Sequence, residues 1–268
     1  MTDRPPAPEP LAVPVLDSHC PLDIVGRDVA EQLAEARAVG VHTVVQVGVD
    51  LPSSQLSADV ADRYPDVWAA VALHPNEAGA GAATPDALAE VERLAGLPQV
   101  VAVGETGLDH YRTGPEGHGV QEYAFRAHID IAKRTGTAVV IHDRDAHDDV
   151  LRVLADEGAP ERVVFHCFSG DAAMARRCAE AGWFMSFAGN VTFKNAGDLR
   201  AAAAAVPIDL LLVETDAPFL TPVPHRGGPN ASYLVPVTVR ALAELRGEPL
   251  DVLCAAIADN GRRAFALA

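Results

Sequence analysis

Residues 136–158 read GTAVVIHDRDAHDDVLRVLADEG, an apolar run at 137–141, a histidine at its end, and a segment whose apolar residues recur at helical spacing until Gly158. The run is short and β-branched, which favours a strand, and the segment after it carries the 3.6-residue period of a helix with a glycine stop. This is one β–α unit. Its histidine, His142, stands where the strand hands over to the loop.

The same pattern repeats in both directions. Apolar runs occur at 12–18, 43–48, 67–73, 99–104, 137–141, 162–166, 183–187 and 208–213, and helical patterns fill the gaps at 28–40, 54–64, 84–96, 119–136, 145–158, 171–182, 195–207, 231–247 and 249–266. Strands that alternate with helices pair in parallel, and eight such units predict a single (β/α)8 TIM barrel. An open doubly wound sheet is the competing arrangement. It is disfavoured because no glycine-rich phosphate loop follows the first strand.

The chain has 268 residues, a usual size for one α/β barrel, so one domain over 12–268 is expected after a flexible, proline-rich leader at 1–11. Hydrophobic residues make up 49% and charged residues 22%, with no apolar run approaching a membrane span, which excludes a helical membrane protein. The N-terminus lacks a basic start followed by an apolar core, so a cytoplasmic protein is expected. Cys20, Cys167, Cys178 and Cys254 have neither CxxC pairing nor regular spacing, which argues for reduced thiols and against a zinc ribbon or disulfide scaffold. The formal net charge of −16 opposes general attraction to nucleic acid, whose affinity normally comes from Lys and Arg. A polyanion must then be held locally, by divalent ions and a few cationic loop residues.

Five side chains with metal-ligand chemistry end apolar runs: His19, Glu105, His142, His166 and Asp216. A barrel collects its strand ends at one face, so ligands far apart in sequence can converge there. His19 shares a strand face with Asp17 and reads equally as a ligand or as half of a structural pair. Glu105 reads as a ligand or as a surface carboxylate, and Gly104 before it permits close approach of another backbone or an ion. His142 and His166 finish their strands alike, each able to offer one ring nitrogen while the other is fixed by an acceptor. Asp216 follows Glu214 and Thr215 in a loop stiffened by Pro218, the position of a ligand or base. His118, His128 and His147 lie in or beside helix patterns and read as solvated, and His42 as inert.

The runs LDSHCPLD, GETGLDHY, IHDRDAH, HCFSG and ETDAPFLTPVPHRG, spread from residue 13 to about 235, resemble in order the signature segments of the TatD family of metal-dependent deoxyribonucleases. That resemblance implies a TIM barrel of the amidohydrolase-like kind, two divalent ions (Mg, Mn or Zn), and hydrolysis of phosphodiester bonds in DNA, as a 3′-to-5′ exonuclease on single-stranded ends. It implies that His19 and a histidine two residues later hold one ion, that Glu105 bridges both, and that His142 and His166 hold the second. Asp216 would complete the first site and orient or deprotonate water, so Glu105 and Asp216 are the expected catalytic residues. By the same resemblance His74, Arg144, Thr192, Lys194, His225 and Arg226 would contact phosphates, Lys194 and Arg226 reading also as ordinary loop charges.

Two departures stand out. Pro21 occupies the second-histidine position, and proline has no donor atom for a metal. Cys20 beside it can replace the imidazole only if a bulge turns it from the opposite strand face. The loop GGPNAS lacks the basic and acidic residues the family often shows after PHRG. These departures leave open a metal-binding barrel with weakened hydrolysis and a binding role, and a hydrolase of another ester or amide.

Overall fold

The computed structural model describes residues 4–267. In chain order the elements are β1 (Val15–Asp17), α1 (Val29–Ala38), β2 (Val41–Val47), α2 (Leu51–Arg63), β3 (Val67–Val71), α3 (Pro75–Glu77), α4 (Pro85–Ala95), β4 (Val100–Asp109), α5 (Pro115–Thr135), β5 (Ala138–Arg144), α6 (His147–Glu157), β6 (Val163–Phe165), α7 (Ala172–Glu180), β7 (Phe184–Phe187), α8 (Gly197–Ala205), β8 (Leu211–Val213), α9 (Val235–Arg246) and α10 (Leu250–Phe265). Strand order is sequential from β1 to β8, and each described pairing is parallel. This is (β/α)8 topology, and each strand expected from the sequence overlaps an observed one. No helix among the described residues is long and apolar enough to cross a membrane.

Local chemistry explains where the elements begin. The α2 helix starts at Leu51, three residues before its apolar pattern, because Asp50 and Ser53 form a reciprocal capping box: Asp50 Oδ1 accepts from Ser53 N–H at 2.8 Å and Ser53 Oγ from Asp50 N–H at 3.0 Å. Such a cap stabilises a helix by about 1 kcal/mol. Thr84 and Asp171 cap α4 and α7 one way, Thr84 accepting the N–H of Ala87 and Asp171 those of Ala173 and Met174.

The described residues fall into two compact units, one running to Val45 and resuming over Gly170–Arg263, the other Gln46–Ser169 with the residues from Ala264. In the second, β4 lies between β3 and β5 and all ten of its residues are buried, as parallel strands covered on both faces require. The β4 strand runs five residues beyond the sequence-based end at 104, through GETGLD. Two glycines make that continuation possible. A side chain at Gly104 would overlap Val140 of β5, and Gly107, at φ +134°, has the carbonyl oxygen of His142 where a Cβ would stand. The register steps from Gly104↔Val140 to Thr106↔Ile141, leaving Glu105 as a bulged residue without an opposite partner, a device that re-aims a side chain.

In the first unit the ends of β1 and β8 are locked together. Ser18 N–H donates to Val213 O at 3.0 Å, Asp216 N–H to His19 O at 3.0 Å, and the Ser18 and Ser186 hydroxyls share a 2.7 Å bond. Of the expected leader, residues 1–3 lie outside the described residues. From Arg4 onward it is pinned: Arg4 pairs with Glu35, Tyr233 Oη donates to Pro5 O at 2.8 Å, and Leu11 is buried and bonded to Val39 O.

Candidate metal centre

The bulge at Glu105 points its carboxylate at three imidazoles of the second unit. Glu105 Oε2 lies 2.7 Å from His166 Nε2, 3.2 Å from His142 Nδ1 and 3.8 Å from His74 Nε2, and His166 Nε2 is 3.4 Å from His142 Nδ1. Three donor atoms, Glu105 Oε2, His142 Nδ1 and His166 Nε2, thus face one point from the strand or strand end of β4, β5 and β6.

His142 is flanked by two carboxylates, with Nε2 3.3 Å from Asp109 Oδ2 and Nδ1 3.2 Å from Glu105 Oε2. With an ion on the Glu105 side the ring would keep its proton on Nε2, donated to Asp109, and offer the Nδ1 lone pair. Asp109 closes β4 and is held in turn. Its Oδ2 accepts from Asn76 Nδ2 at 3.2 Å, and its Oδ1 accepts from the backbone N–H groups of Tyr111 at 3.1 Å and Arg112 at 2.8 Å. Burial pushes the Asp109 carboxyl up, but the bonds from His142 and Arg112 outweigh it and hold the group below the usual carboxylate range. Burial likewise opposes ionisation of Glu105, and the neighbouring His166 with the His142 and His166 bonds overcomes it, so this carboxyl also lies well below its ordinary value. For His142, burial favours the neutral ring while the bonds to Asp109 and Glu105 favour the cation and prevail. The pocket therefore stabilises positive charge at its centre, which a divalent ion would supply in place of a proton.

His74 has different chemistry. Its Nδ1 accepts the N–H of Asn76 at 3.0 Å and caps the short α3 helix, while burial lowers its pKa to about 4. A neutral ring with Nδ1 accepting carries its proton on Nε2, so the atom facing Glu105 is a donor rather than a lone pair. Glu105, His142 and His74 are close enough together for a shared ion, but this tautomer makes His74 a hydrogen-bond donor to an anionic oxygen.

The first unit carries its own pair, His19 Nε2 at 3.9 Å from Asp216 Oδ1. Asp17 braces both segments: its Oδ2 accepts from Thr215 Oγ1 at 2.6 Å and its Oδ1 from Thr215 N–H at 2.9 Å and His19 N–H at 3.4 Å. Burial, opposed by the Thr215 bonds, raises the Asp17 carboxyl to about 6. Asp216 sits at φ +51°, a left-handed conformation that a non-glycine residue adopts at some energetic cost and that recurs at functional sites. Cys20 is fully buried and donates its N–H to Val45 O, and burial pushes its thiol well above the ordinary value.

The remaining expected residues divide sharply. Arg144 lies at the end of β5 with its guanidinium carbon 4.0 Å from the centre of the Tyr111 ring. Thr192 is engaged internally, its hydroxyl donating to Gly189 O at 2.6 Å and accepting Val223 N–H at 2.9 Å, so it ties two loops. Lys194 and Arg226 are exposed in first-unit loops, Arg226 covering Phe193 at 4.2 Å, and His225 shapes the turn through Pro222 and Gly228. His128, read from the sequence as solvated, is fully buried: it accepts the N–H of Leu73 at 3.4 Å and meets Thr106 Oγ1 at 2.7 Å. Its signal was present, because Phe125, His128, Ile129 and Ala132 share one apolar helix face. Asp109 was missed, although it stands within GLDHY.

Mixed imidazole and carboxylate donors with one ring fixed by an outer carboxylate suit Mg, Mn or Zn, and this arrangement on (β/α)8 topology is that of a metal-dependent hydrolase. The family model described as TatD related DNase matches residues 16–266, and the chain belongs to this family. It is 50% identical over 262 residues to an uncharacterized metal-dependent hydrolase TatD of Mycobacterium tuberculosis, covering 94% of this chain and 98% of that protein. It is 36% identical over 249 residues to a 3′-5′ ssDNA/RNA exonuclease TatD of Klebsiella pneumoniae, covering 90% and 93%. Among solved structures, the TatD homologue YJJV of Escherichia coli superposes with a TM-score of 0.88 at 28% identity, covering 95% of this chain and 98% of that one.

Proposed function

We propose that this hydrolase cleaves phosphodiester bonds of nucleic acid, as a 3′-to-5′ exonuclease on single-stranded DNA ends. The observation that carries the reading is the convergence of Glu105 Oε2, His142 Nδ1 and His166 Nε2 within 3.4 Å of one another. The Klebsiella relative's name, an exonuclease on single-stranded DNA and RNA, supports the substrate.

In this reading two divalent ions are used, one held by His142 and His166 with Glu105, and His19 and Asp216 serve the other. Divalent ions at such donors activate water as a nucleophile and neutralise charge building on phosphoryl oxygens. Glu105 brings the negative charge that fixes the ion, and Asp109 keeps His142 in the binding tautomer. Asp216 orients or deprotonates the attacking water. His74 Nε2–H and the Arg144 guanidinium donate to phosphate oxygens, and Lys194, His225 and Arg226 attract the strand from first-unit loops. Thr192 positions that loop region. Pro21 leaves the His19 position one protein ligand short, so its ion binds weakly. We place the reaction in the cytoplasm.

The test is cleavage of a 5′-labelled single-stranded oligonucleotide by purified protein loaded with Mg, Mn or Zn, beside a metal count. Stepwise shortening from the 3′ end is the expected result. A metal-loaded protein that leaves every nucleic acid intact would instead support the reading motivated by Pro21, a barrel with weakened hydrolysis and a binding role.

A further inference from the structure

Tyr111 is 64% exposed, the most exposed of the Phe, Tyr and Trp side chains among the described residues. An exposed tyrosine alone is unremarkable. This one is covered on one face by a guanidinium 4.0 Å from its ring centre, and the cation comes from Arg144, two residues beyond His142 on β5. The turn presenting the ring is fixed at several points. Asp109 Oδ1 accepts the N–H groups of Tyr111 and Arg112, His110 N–H donates to Arg144 O at 2.9 Å, and Thr113 Oγ1 donates to Asn76 Oδ1 at 3.0 Å. The same Asp109 carboxylate binds His142 at 3.3 Å through its other oxygen. One side chain therefore sets both the orientation of the His142 ring and the position of the aromatic ring.

A rigid, half-covered aromatic ring beside a fixed cation suits a ligand that is flat on one part and anionic on another. A nucleotide unit is such a ligand. The charge balance points the same way: at a formal −16 the chain gains little from general attraction to phosphates, so contacts that work by stacking carry more of the binding. We propose that Tyr111 and Arg144 form a nucleotide platform, the open face of Tyr111 stacking on a base near the 3′ end while Arg144 takes a phosphate oxygen of the same strand. This rests on the phosphodiesterase reading above and adds to it a base-binding position.

The test uses the metal-loaded full chain and two single-stranded oligonucleotides of equal length, one with normal bases and one whose three 3′-terminal units are abasic. Wild-type protein is expected to have a KM about tenfold or more lower on the base-bearing strand, the range expected for one stacked base. In Tyr111→Ala that preference collapses, and Tyr111→Phe, which keeps the ring, restores most of it. Circular dichroism and metal content of the variants establish that fold and metal site are intact. A Tyr111→Ala protein that retains the wild-type preference, or loses activity equally on both strands, overturns the platform while leaving the phosphodiesterase reading standing. A wild-type protein that cleaves neither strand with any of the three metals overturns both.

Discussion

Asp109 and His142 lie 33 residues apart in sequence, yet Oδ2 of one and Nε2 of the other meet at 3.3 Å across the β4–β5 pair. With an ion on Nδ1 the ring would donate its Nε2 proton to Asp109, and outer carboxylates of this kind typically contribute about 10–100-fold to metal affinity. Asp109→Ala should weaken metal binding by about that factor with the fold intact. Competition titrations against a chromogenic chelator measure it. Unchanged affinity would mean that Asp109 serves only to hold the turn at Tyr111 and Arg112.

Glu105→Ala should abolish hydrolysis and lower metal content more than any other single substitution, because its Oε2 faces His74, His142 and His166 together. Elemental analysis of the variant with an oligonucleotide assay decides this. Near-wild-type turnover in a folded Glu105→Ala protein would remove the metal mechanism.

His142→Ala and His166→Ala should each deplete the metal bound with Glu105 while leaving the fold unchanged by circular dichroism. If both variants keep full occupancy, the ligand assignment on β5 and β6 is wrong.

Much of this was legible in the chain, and the gaps have physical causes. Alternating strand and helix periods gave the (β/α)8 topology, since each period reflects which side chains face the core. The end of β4 was not legible: the apolar run stops at 104, whereas the strand continues to Asp109 because Gly104, as its reading allowed, and Gly107 let β5 approach closely. Asp109 lies in that continuation, beyond the apolar run that marks the strand in the sequence. His74 was found by its motif, but its donor role depends on the Asn76 N–H, which no sequence pattern reports.

Glu35 offers a pH test apart from the metal centre. It accepts from Arg27 at 2.7 and 2.8 Å and from Arg4, and these bonds lower its pKa from an ordinary 4.5 to about 2. A carboxyl depressed in the folded state stabilises the fold above the unfolded pKa, and that contribution fades as pH falls through the folded value. Glu35→Gln should therefore cost about 1 kcal/mol at pH 7, the modest scale of a partly exposed pair. The difference from wild type should shrink between about pH 4.5 and pH 2. Urea melts across that range check it, and a difference independent of pH would place the effect in packing.

Pro21→His tests the departure from the family pattern. The strand ends at Asp17, so side-chain alternation no longer governs position 21, and Pro21 lies buried in the segment that follows His19. An imidazole there should tighten the ion proposed at His19 and Asp216, since it adds a donor where proline has none. Activity should rise most when metal is limiting and converge on wild type as metal saturates, as mass action requires. Calorimetric metal titrations paired with rates on a short single-stranded oligonucleotide give both readouts. A well-folded Pro21→His protein with unchanged metal affinity would mean that the His19 position is already fully served by other groups, and the weak-site reading would fall.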